Sequence, residues 1–168
     1  YRLTPDDLLI FKRASQENPS YFTSYYLGGW EFFDYQLAVH LAAQPDITFI
    51  AGVGAGKTAT VGISAATWAA MCPYFKFMNV APTSWQSELM YKFILQHAES
   101  NRYNRFINNA VKRPYPSIEL YNGSVLEFMS AADEIERVRG WEGDWMNGDE
   151  FGYIDSPATI RYMRTRLR

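Results

Sequence analysis

A short glycine-rich turn constrains the fold of this chain more than any other stretch of its sequence. The turn, AGVGAGKT at 51–58, follows the apolar run ITFIA at 47–51. This run has the β-branched and aromatic content of a buried strand. The segment GKTATVGISAATWAAMC at 56–72 has the alanines and spaced apolar residues of a buried helix, which Pro73 ends. The sequence therefore predicts a strand, a tight turn and a helix in direct succession.

The turn matches the pattern of a phosphate-binding loop, in which a glycine and four further residues precede Gly-Lys-Ser/Thr. The Gly-Lys-Thr end fits this pattern, and Ala51 stands where the first glycine is expected. Gly54 and Gly56 allow a backbone path whose N–H groups face phosphate oxygens, and the following helix adds its positive end. Lys57 is predicted to contact the β- and γ-phosphates, and the Thr58 hydroxyl to bind Mg²⁺. The predicted nucleotide-binding residues of the turn are Gly52, Val53, Gly54, Ala55, Gly56, Lys57, Thr58 and Ala59.

An acidic pair, Asp149 and Glu150, lies about 90 residues beyond the turn, at the end of the run DWMNGDE. An enzyme that hydrolyses nucleotides needs an acid for the metal and a base for the attacking water. We predict that Asp149 holds Mg²⁺ and that Glu150 is the general base. Asn147 and Gly148 interrupt what should be an apolar strand, and two solvated loop acids are the alternative. The position of the pair after the turn favours the catalytic interpretation.

The rest of the chain alternates helices and strands. A helix capped by Thr4, with Pro5 at its first position, opens the chain. The clearest local signal is a hairpin at 117–130, where Asn122-Gly123 is a dipeptide that tolerates positive φ at both turn positions. Further predicted elements are a helix ending near Pro45, a strand at 75–81, a helix from about Thr83, a loop at 131–140 and a last helix capped at Ser156-Pro157. This alternation predicts an α/β fold with a mainly parallel sheet flanked by helices and a β-hairpin.

Composition and charge limit the classes of protein to which this chain can belong. With 168 residues, 48% of them hydrophobic, the chain is long enough for one well-packed domain. A formal net charge of −2 means that any contact with nucleic acid must use a local basic patch. The basic clusters are KR at 112–113 and RYMRTRLR at 161–168, and each is more commonly a solvated face. A single cysteine excludes an internal disulfide bond, and no apolar run is long enough to span a membrane.

Several motifs in a fixed order resemble the large terminase subunit of tailed phages, the ATPase that packages DNA into a procapsid. The motifs are FDYQ at 33–36, AGVGAGKT at 51–58, VAPT at 80–83, YNGSVLEFMSA at 121–131, VRGWEGDWMNGDEFGYID at 138–155 and TRLR at 165–168. The resemblance covers most of residues 30–168. A generic phosphate-loop protein lacks the order that runs from NGS through RG to DE.

The resemblance implies a P-loop NTPase core of the RecA-like (ASCE) type. It further implies that residues 1–168 form a single, truncated ATPase domain, with an N-terminal helical extension at 1–30 and the core at 31–168. The coupling motif that follows the acidic pair in this family and the C-terminal nuclease domain are expected to lie outside the chain.

The same resemblance assigns roles to residues outside the two motifs. Tyr35 and Gln36, before the loop, would contact the adenine of ATP, with core packing as the alternative for Tyr35. Arg137 or Arg139 would complete the site of a neighbouring subunit in a homo-oligomeric ring. A charged loop that balances nearby acids is the alternative for these arginines.

The implied function is ATP hydrolysis that drives double-stranded viral DNA into a procapsid, with ATP and Mg²⁺ bound. The implied partners are DNA, the portal protein and the small terminase subunit, in the cytoplasm of an infected bacterial host. A helicase-like or other DNA-translocating ATPase is the alternative, although Phe151 and Gly152 depart from the commonest helicase boxes. A small-molecule kinase and a non-enzymatic nucleotide-binding scaffold are further alternatives, and Glu150 argues against the scaffold because binding alone needs no base.

Overall fold

The computed structural model describes residues 3–42, 46–99, 102–132, 135–153 and 161. The helices in these ranges are α1 (Pro5–Gln16), α2 (Ser20–Tyr26), α3 (Asp34–His40), α4 (Lys57–Met71), α5 (Ser84–Glu99) and α6 (Ile135–Gly140). The strands are β1 (Lys76–Ala81), β2 (Ile107–Val111), β3 (Ser117–Leu120), β4 (Val125–Ser130) and β5 (Trp145–Gly148). Two short 3₁₀ helices span Arg102–Phe106 and Phe151–Tyr153.

The strands form one sheet in the order β2-β3-β4-β1-β5. β1 runs parallel to both β4 and β5, whereas β3 is antiparallel to β2 and to β4. The carboxyl ends of β4, β1 and β5 therefore meet at one side of the sheet, which we call the carboxyl edge. The predicted α/β class is confirmed, with the parallel part of the sheet at β4-β1-β5 and the antiparallel part around the hairpin.

Helices cover both faces of the sheet. On one face, α4 and α5 share a core with the strand residues Phe77 and Phe128. Gly62 allows α4 to approach α5 closely, because a Cβ at this position would lie 3.3 Å from the Met90 side chain. Successive residues of a strand point to opposite faces, and α6 contributes Val138 to a smaller core on the second face. That smaller core consists of Met78, Val80, Met129, Val138 and Trp141.

The predicted strand at 47–51 is wrong. Residues 46–52 have no regular structure, and Ile47 and Ile50 are 46% and 89% exposed. Among the described residues, the sheet consists of β1 to β5 and does not include this segment. β-branched and aromatic residues suit a paired, covered surface, but they supply neither the neighbouring strand nor the covering helix. The segment therefore enters the glycine-rich turn as an irregular loop.

The predicted hairpin is confirmed, with a different turn. β3 and β4 pair antiparallel, and Gly123 takes a positive φ of 84° while Asn122 does not. The N–H of Gly123 donates to the carbonyl oxygen of Leu120 at 3.0 Å, which closes the turn. The Asn122 side chain instead donates from Nδ2 to the carbonyl oxygens of Ala69 and Ala70, at 2.8 and 3.2 Å. The hairpin turn thereby satisfies backbone groups at the end of α4.

Three other predicted elements have different outcomes. The segment at 131–140 contains the short helix α6 where a loop was predicted, because Val138 is fully buried against the second face of the sheet. The helix expected to end near Pro45 is α3, which ends at His40, and Pro45 itself lies outside the described residues. The last helix, with its cap at Ser156-Pro157, also lies outside them.

The N-terminal helices pack on the same core as α4. The cap at Thr4 is confirmed, since its Oγ1 accepts a hydrogen bond from the Asp7 N–H at 3.2 Å. The buried carboxylate of Asp7 pairs with Arg105 at 3.1 Å and accepts a hydrogen bond from the hydroxyl of Tyr26. Phe22 and Tyr26 both belong to the core that contains α4. The division into 1–30 and 31–168 stays a prediction.

None of the helices in the described ranges has the length and apolar character needed to cross a bilayer.

Candidate nucleotide-binding and catalytic site

The glycine-rich turn leads directly into the first residue of α4. Gly54 and Gly56 have φ angles of 81° and 75°, in the left-handed region where glycine is strongly preferred. These positive φ angles explain why the sequence has glycine at both positions. No side chain caps the start of α4 at Gly56. The positive end of a 15-residue helix therefore lies at the turn.

Lys57 lies against the turn that precedes it. Its Nζ donates to the carbonyl oxygens of Ala51 and Gly52, at 2.9 and 3.2 Å. The ammonium group is consequently held beside the loop, outside the hydrophobic core. This placement suits a side chain that neutralises phosphate charge.

Thr58 and Asp149 meet although they are 91 positions apart in the chain. The Thr58 hydroxyl donates to Asp149 Oδ2 at 3.2 Å, and the Asp149 N–H donates to the carbonyl oxygen of Val80 at 2.8 Å. β5 therefore places Asp149 at the carboxyl edge, directly beside the start of α4. A hydroxyl and a carboxylate are oxygen ligands of the kind Mg²⁺ prefers. The two residues thus fit the predicted metal site.

The electrostatic environment of Asp149 changes its acidity. Burial raises the pKa of the Asp149 carboxyl group, and the negative charge of Glu150 raises it further. The hydrogen bond from Thr58 and the positive charge of Lys57 act in the opposite direction. A divalent cation at this position would favour the ionised carboxylate.

Glu150 is exposed and takes an unusual backbone conformation. Its φ angle is 50°, in the left-handed region that residues with a Cβ rarely adopt. The carbonyl oxygen of Glu150 accepts a hydrogen bond from the Tyr153 N–H at 2.9 Å, in the turn after β5. Strained residues of this kind cluster at functional sites. The conformation places Glu150 immediately after the carboxylate that contacts Thr58.

Tyr35 and Gln36 both contact the glycine-rich turn. The Tyr35 hydroxyl donates to the carbonyl oxygen of Ala55 at 3.0 Å, and Gln36 Nε2 donates to the same oxygen at 3.5 Å. Gln36 Oε1 accepts from the Phe33 N–H at 3.1 Å, so both ends of this amide are engaged. A Cβ at Gly56 would lie 2.9 Å from Gln36 Nε2. The start of α3 thus braces the turn from one side.

A cavity of about 450 Å³ opens between α3, the turn and α5. This volume is within the range of small-ligand pockets, and Tyr35 and Gln36 lie in its wall. The other lining residues are Leu27, Gly28, Gly29, Trp30, Glu31, Phe33, Gly54, Ala55, Gly56 and His97. Sequence reasoning did not identify Trp30, Glu31 or His97. The dipeptide Gly28-Gly29 indicates a turn directly after α2 and could have identified that segment. No neighbouring residue distinguishes His97.

His40 and Ser64 form a buried hydrogen bond that joins α3 to α4. The distance from His40 Nδ1 to Ser64 Oγ is 2.6 Å, and the two residues are 5% and 1% exposed. Burial lowers the pKa of His40 from 6.5 to about 4. The imidazole is therefore neutral in the folded protein at pH values where the unfolded chain protonates it.

We expect the free energy of unfolding to fall by roughly 3 kcal/mol as the pH decreases from about 6.5 to 4, because the unfolded chain binds the additional proton in this interval. Denaturant titrations at a series of pH values would measure this change. Asp7 also loses stabilisation in acid, since its pKa is lowered. His40→Gln isolates the histidine contribution and should flatten the curve above pH 4. An unchanged slope in His40→Gln would contradict the assignment.

The predicted arginines lie on α6 and contact acids of their own chain. Arg137 forms an ion pair with Glu127 at 3.6 Å, and its guanidinium lies 3.8 Å from the ring centre of Tyr115. Arg139 forms an ion pair with Glu136 at 2.6 Å. These contacts reach neither the glycine-rich turn nor the acidic pair.

The glycine-rich turn at the start of a buried helix, beside an acid at the carboxyl edge, defines a P-loop NTPase fold. Two similar solved structures are the large terminase ATPase domain of Thermus phage P74-26 and an arginine-to-alanine mutant of that domain. Each is 18% identical with a TM-score of 0.67 and matches 99% of this chain, which spans 66% and 67% of the two neighbours. A scan of protein-family models finds no match, and a search of curated proteins finds no similar sequence.

Proposed function

We propose that this chain is the ATPase core of a motor that packages double-stranded viral DNA. The single observation that carries the ATPase proposal is the contact between Thr58 and Asp149 at the start of α4. A phosphate-binding turn alone would suit any nucleotide-binding protein. A hydroxyl and a half-buried carboxylate at its end also supply ligands for the metal that nucleotide hydrolysis requires.

Each residue of the site has a separate role in hydrolysis. The N–H groups of the turn and Lys57 bind the phosphates, and Tyr35 and Gln36 brace the turn through Ala55. Thr58 and Asp149 would hold Mg²⁺, which neutralises charge that develops on the phosphate oxygens. Glu150 accepts a proton from the water that attacks the γ-phosphoryl group. The cavity beside Tyr35 has the size and position to take the adenosine part of ATP.

The likeness to a terminase ATPase domain, together with the motif order from NGS to DE, supports the use of ATP to move DNA. In this proposal the protein acts as a homo-oligomeric ring, and Arg137 or Arg139 completes the site of a neighbouring subunit. Its partners are double-stranded DNA, the portal protein and the small terminase subunit. The place of action is the cytoplasm of an infected bacterium.

Lys57→Ala tests the nucleotide site. We expect the affinity for a non-hydrolysable ATP analogue to fall roughly tenfold to 100-fold, because a charge-assisted contact contributes about 1.5–3 kcal/mol. Isothermal titration calorimetry would measure the affinity, and thermal unfolding would verify that the variant folds. Lys12→Ala, which removes an exposed lysine of α1, is the matched control. Unchanged affinity in folded Lys57→Ala protein would overturn the proposal.

A further inference from the structure

Three basic side chains surround one carboxylate on the surface between α5 and the loop that joins β2 to β3. Lys92 Nζ lies 3.0 Å from Glu88 Oε2, and Lys112 Nζ lies 4.0 Å from the same oxygen. The hydrogen bond from Lys92, together with the charges of Lys112 and Arg113, lowers the pKa of Glu88. The side chains of Lys92 and Lys112 are 49% and 54% exposed, and Arg113 is exposed as well.

The same loop carries an aromatic residue with a cation stacked on it. Arg137 of α6 lies 3.8 Å from the ring centre of Tyr115 and is 43% exposed. Its own acidic partner is Glu127, so this surface combines four positive charges with two negative ones. A local excess of positive charge contrasts with the formal net charge of −2 for the whole chain. We call these residues, Lys92, Lys112, Arg113, Tyr115 and Arg137, the basic surface.

The basic surface lies toward the same edge of the sheet as the candidate catalytic site. β3 begins where β4 approaches its carboxyl end, since Ser117 pairs with Glu127 and the Phe128 N–H donates to the Pro116 carbonyl oxygen at 3.0 Å. Three strand spacings, roughly 14 Å in total, separate β3 from β5 across the sheet. α6 bears Arg137 and precedes β5 in the chain, and Asp149 directly follows β5.

We propose that Lys112 and Arg113, supported by Lys92, contact the phosphate backbone of double-stranded DNA. This inference rests on the proposed function and adds the surface that touches DNA. Exposed lysines and arginines bind phosphates without regard to base sequence, as a motor that moves along any DNA requires. The position of the basic surface toward the carboxyl edge would bring DNA to the side of the sheet on which the candidate nucleotide site lies.

The test compares two KR dipeptides of the same chain. Lys112→Ala/Arg113→Ala should weaken binding of a labelled 30-base-pair duplex about tenfold or more at 100 mM salt, measured by fluorescence anisotropy. It should also reduce the slope of log affinity against log salt by about 2, since each lost phosphate contact removes about 0.9. Lys12→Ala/Arg13→Ala removes the same dipeptide from the exposed face of α1 and should leave both quantities unchanged.

A third variant tests the carboxylate within the surface. Glu88→Gln removes a negative charge beside Lys92 and Lys112 and should raise the affinity for the duplex. A Glu88→Gln variant with unchanged or lower affinity would contradict the proposal, as would equal losses in the two dipeptide variants. Single-stranded DNA of the same length serves as a probe of duplex preference. Equal dependence of both DNA forms on Lys112 and Arg113 would overturn the assignment to double-stranded DNA.

Parallel measurement of ATP-analogue binding separates this inference from the function on which it rests. Lys112 and Arg113 make no contact with the glycine-rich turn in the described structure, so their double variant should bind nucleotide normally. Normal nucleotide binding with unchanged DNA binding would overturn the basic surface alone. Unchanged nucleotide binding in Lys57→Ala would overturn the ATPase proposal, whatever happens to DNA binding.

Discussion

Glutamine in place of Glu150 should reduce ATP turnover by roughly 10²–10⁴-fold while ATP and Mg²⁺ still bind, because the change removes only the proton acceptor. Phosphate release would measure turnover, and calorimetry would measure binding. Asp149→Asn is the matched variant, since it changes the neighbouring acid in the same way. It should weaken Mg²⁺-dependent binding in addition to turnover, because Asp149 contacts Thr58 and is expected to hold the metal. Turnover at the normal rate in Glu150→Gln would place the base elsewhere.

The left-handed conformation of Glu150 allows a second test, in which thermal stability distinguishes a catalytic role from a structural one. Glycine adopts a φ of 50° without the steric cost that a residue with a Cβ incurs. Glu150→Gly should therefore inactivate the enzyme while it leaves the thermal stability equal or higher. Loss of stability in Glu150→Gly would indicate that the side chain has a structural role.

Alanine at the arginine that completes a neighbouring site should reduce turnover of the assembled ring by roughly 10³–10⁵-fold, the range of an arginine finger. A guanidinium suits this role because it is always charged and offers a planar set of donors. Arg137 and Arg139 are tested separately, each as alanine, with nucleotide binding as the control. A dilute monomer should hydrolyse ATP slowly even with both arginines intact. Vigorous hydrolysis by the monomer would contradict action between subunits.

Mixing two inactive variants distinguishes action between subunits from action within one. Glu150→Gln supplies intact arginines, and the arginine variant supplies intact Glu150 sites, so mixed rings contain some complete sites. We expect partial recovery of turnover at intermediate ratios. Both arginines have partners in their own chain, Arg137 with Glu127 and Arg139 with Glu136, so recovery confined to one arginine variant would assign the role to that arginine. No recovery, despite demonstrated co-assembly, would show that neither arginine acts between subunits.

Local chemistry was sufficient to predict the backbone of the glycine-rich turn. Gly54 and Gly56 occupy left-handed positions, so the backbone path of the turn follows from the residue types. Lys57 and Thr58 follow the turn at positions that the helix start determines. The contribution of Trp30 and His97 to the cavity was not predictable, because it depends on how α5 and the segment before α3 pack beside the turn.

By itself, the sequence determined the elements whose signals lie within a few residues of one another. The cap at Thr4, the end of a helix before Pro73 and the hairpin at Asn122-Gly123 are of this kind. The spacing of apolar residues likewise determined α4 and α5. In each case the decisive interaction is a local hydrogen bond, a backbone restriction or one apolar face.

Only the tertiary structure decided which segments pair with a neighbouring strand or pack against a distant part of the chain. The run at 47–51 has strand composition but no paired neighbour in the described sheet, whereas 135–140 forms a helix because Val138 is buried. The approach of Thr58 to Asp149, across 91 positions, likewise depends on how β5 aligns with β1. Pairing and burial between distant segments supply the free energy that stabilises these arrangements. A short stretch of sequence does not include both partners, so it cannot predict them.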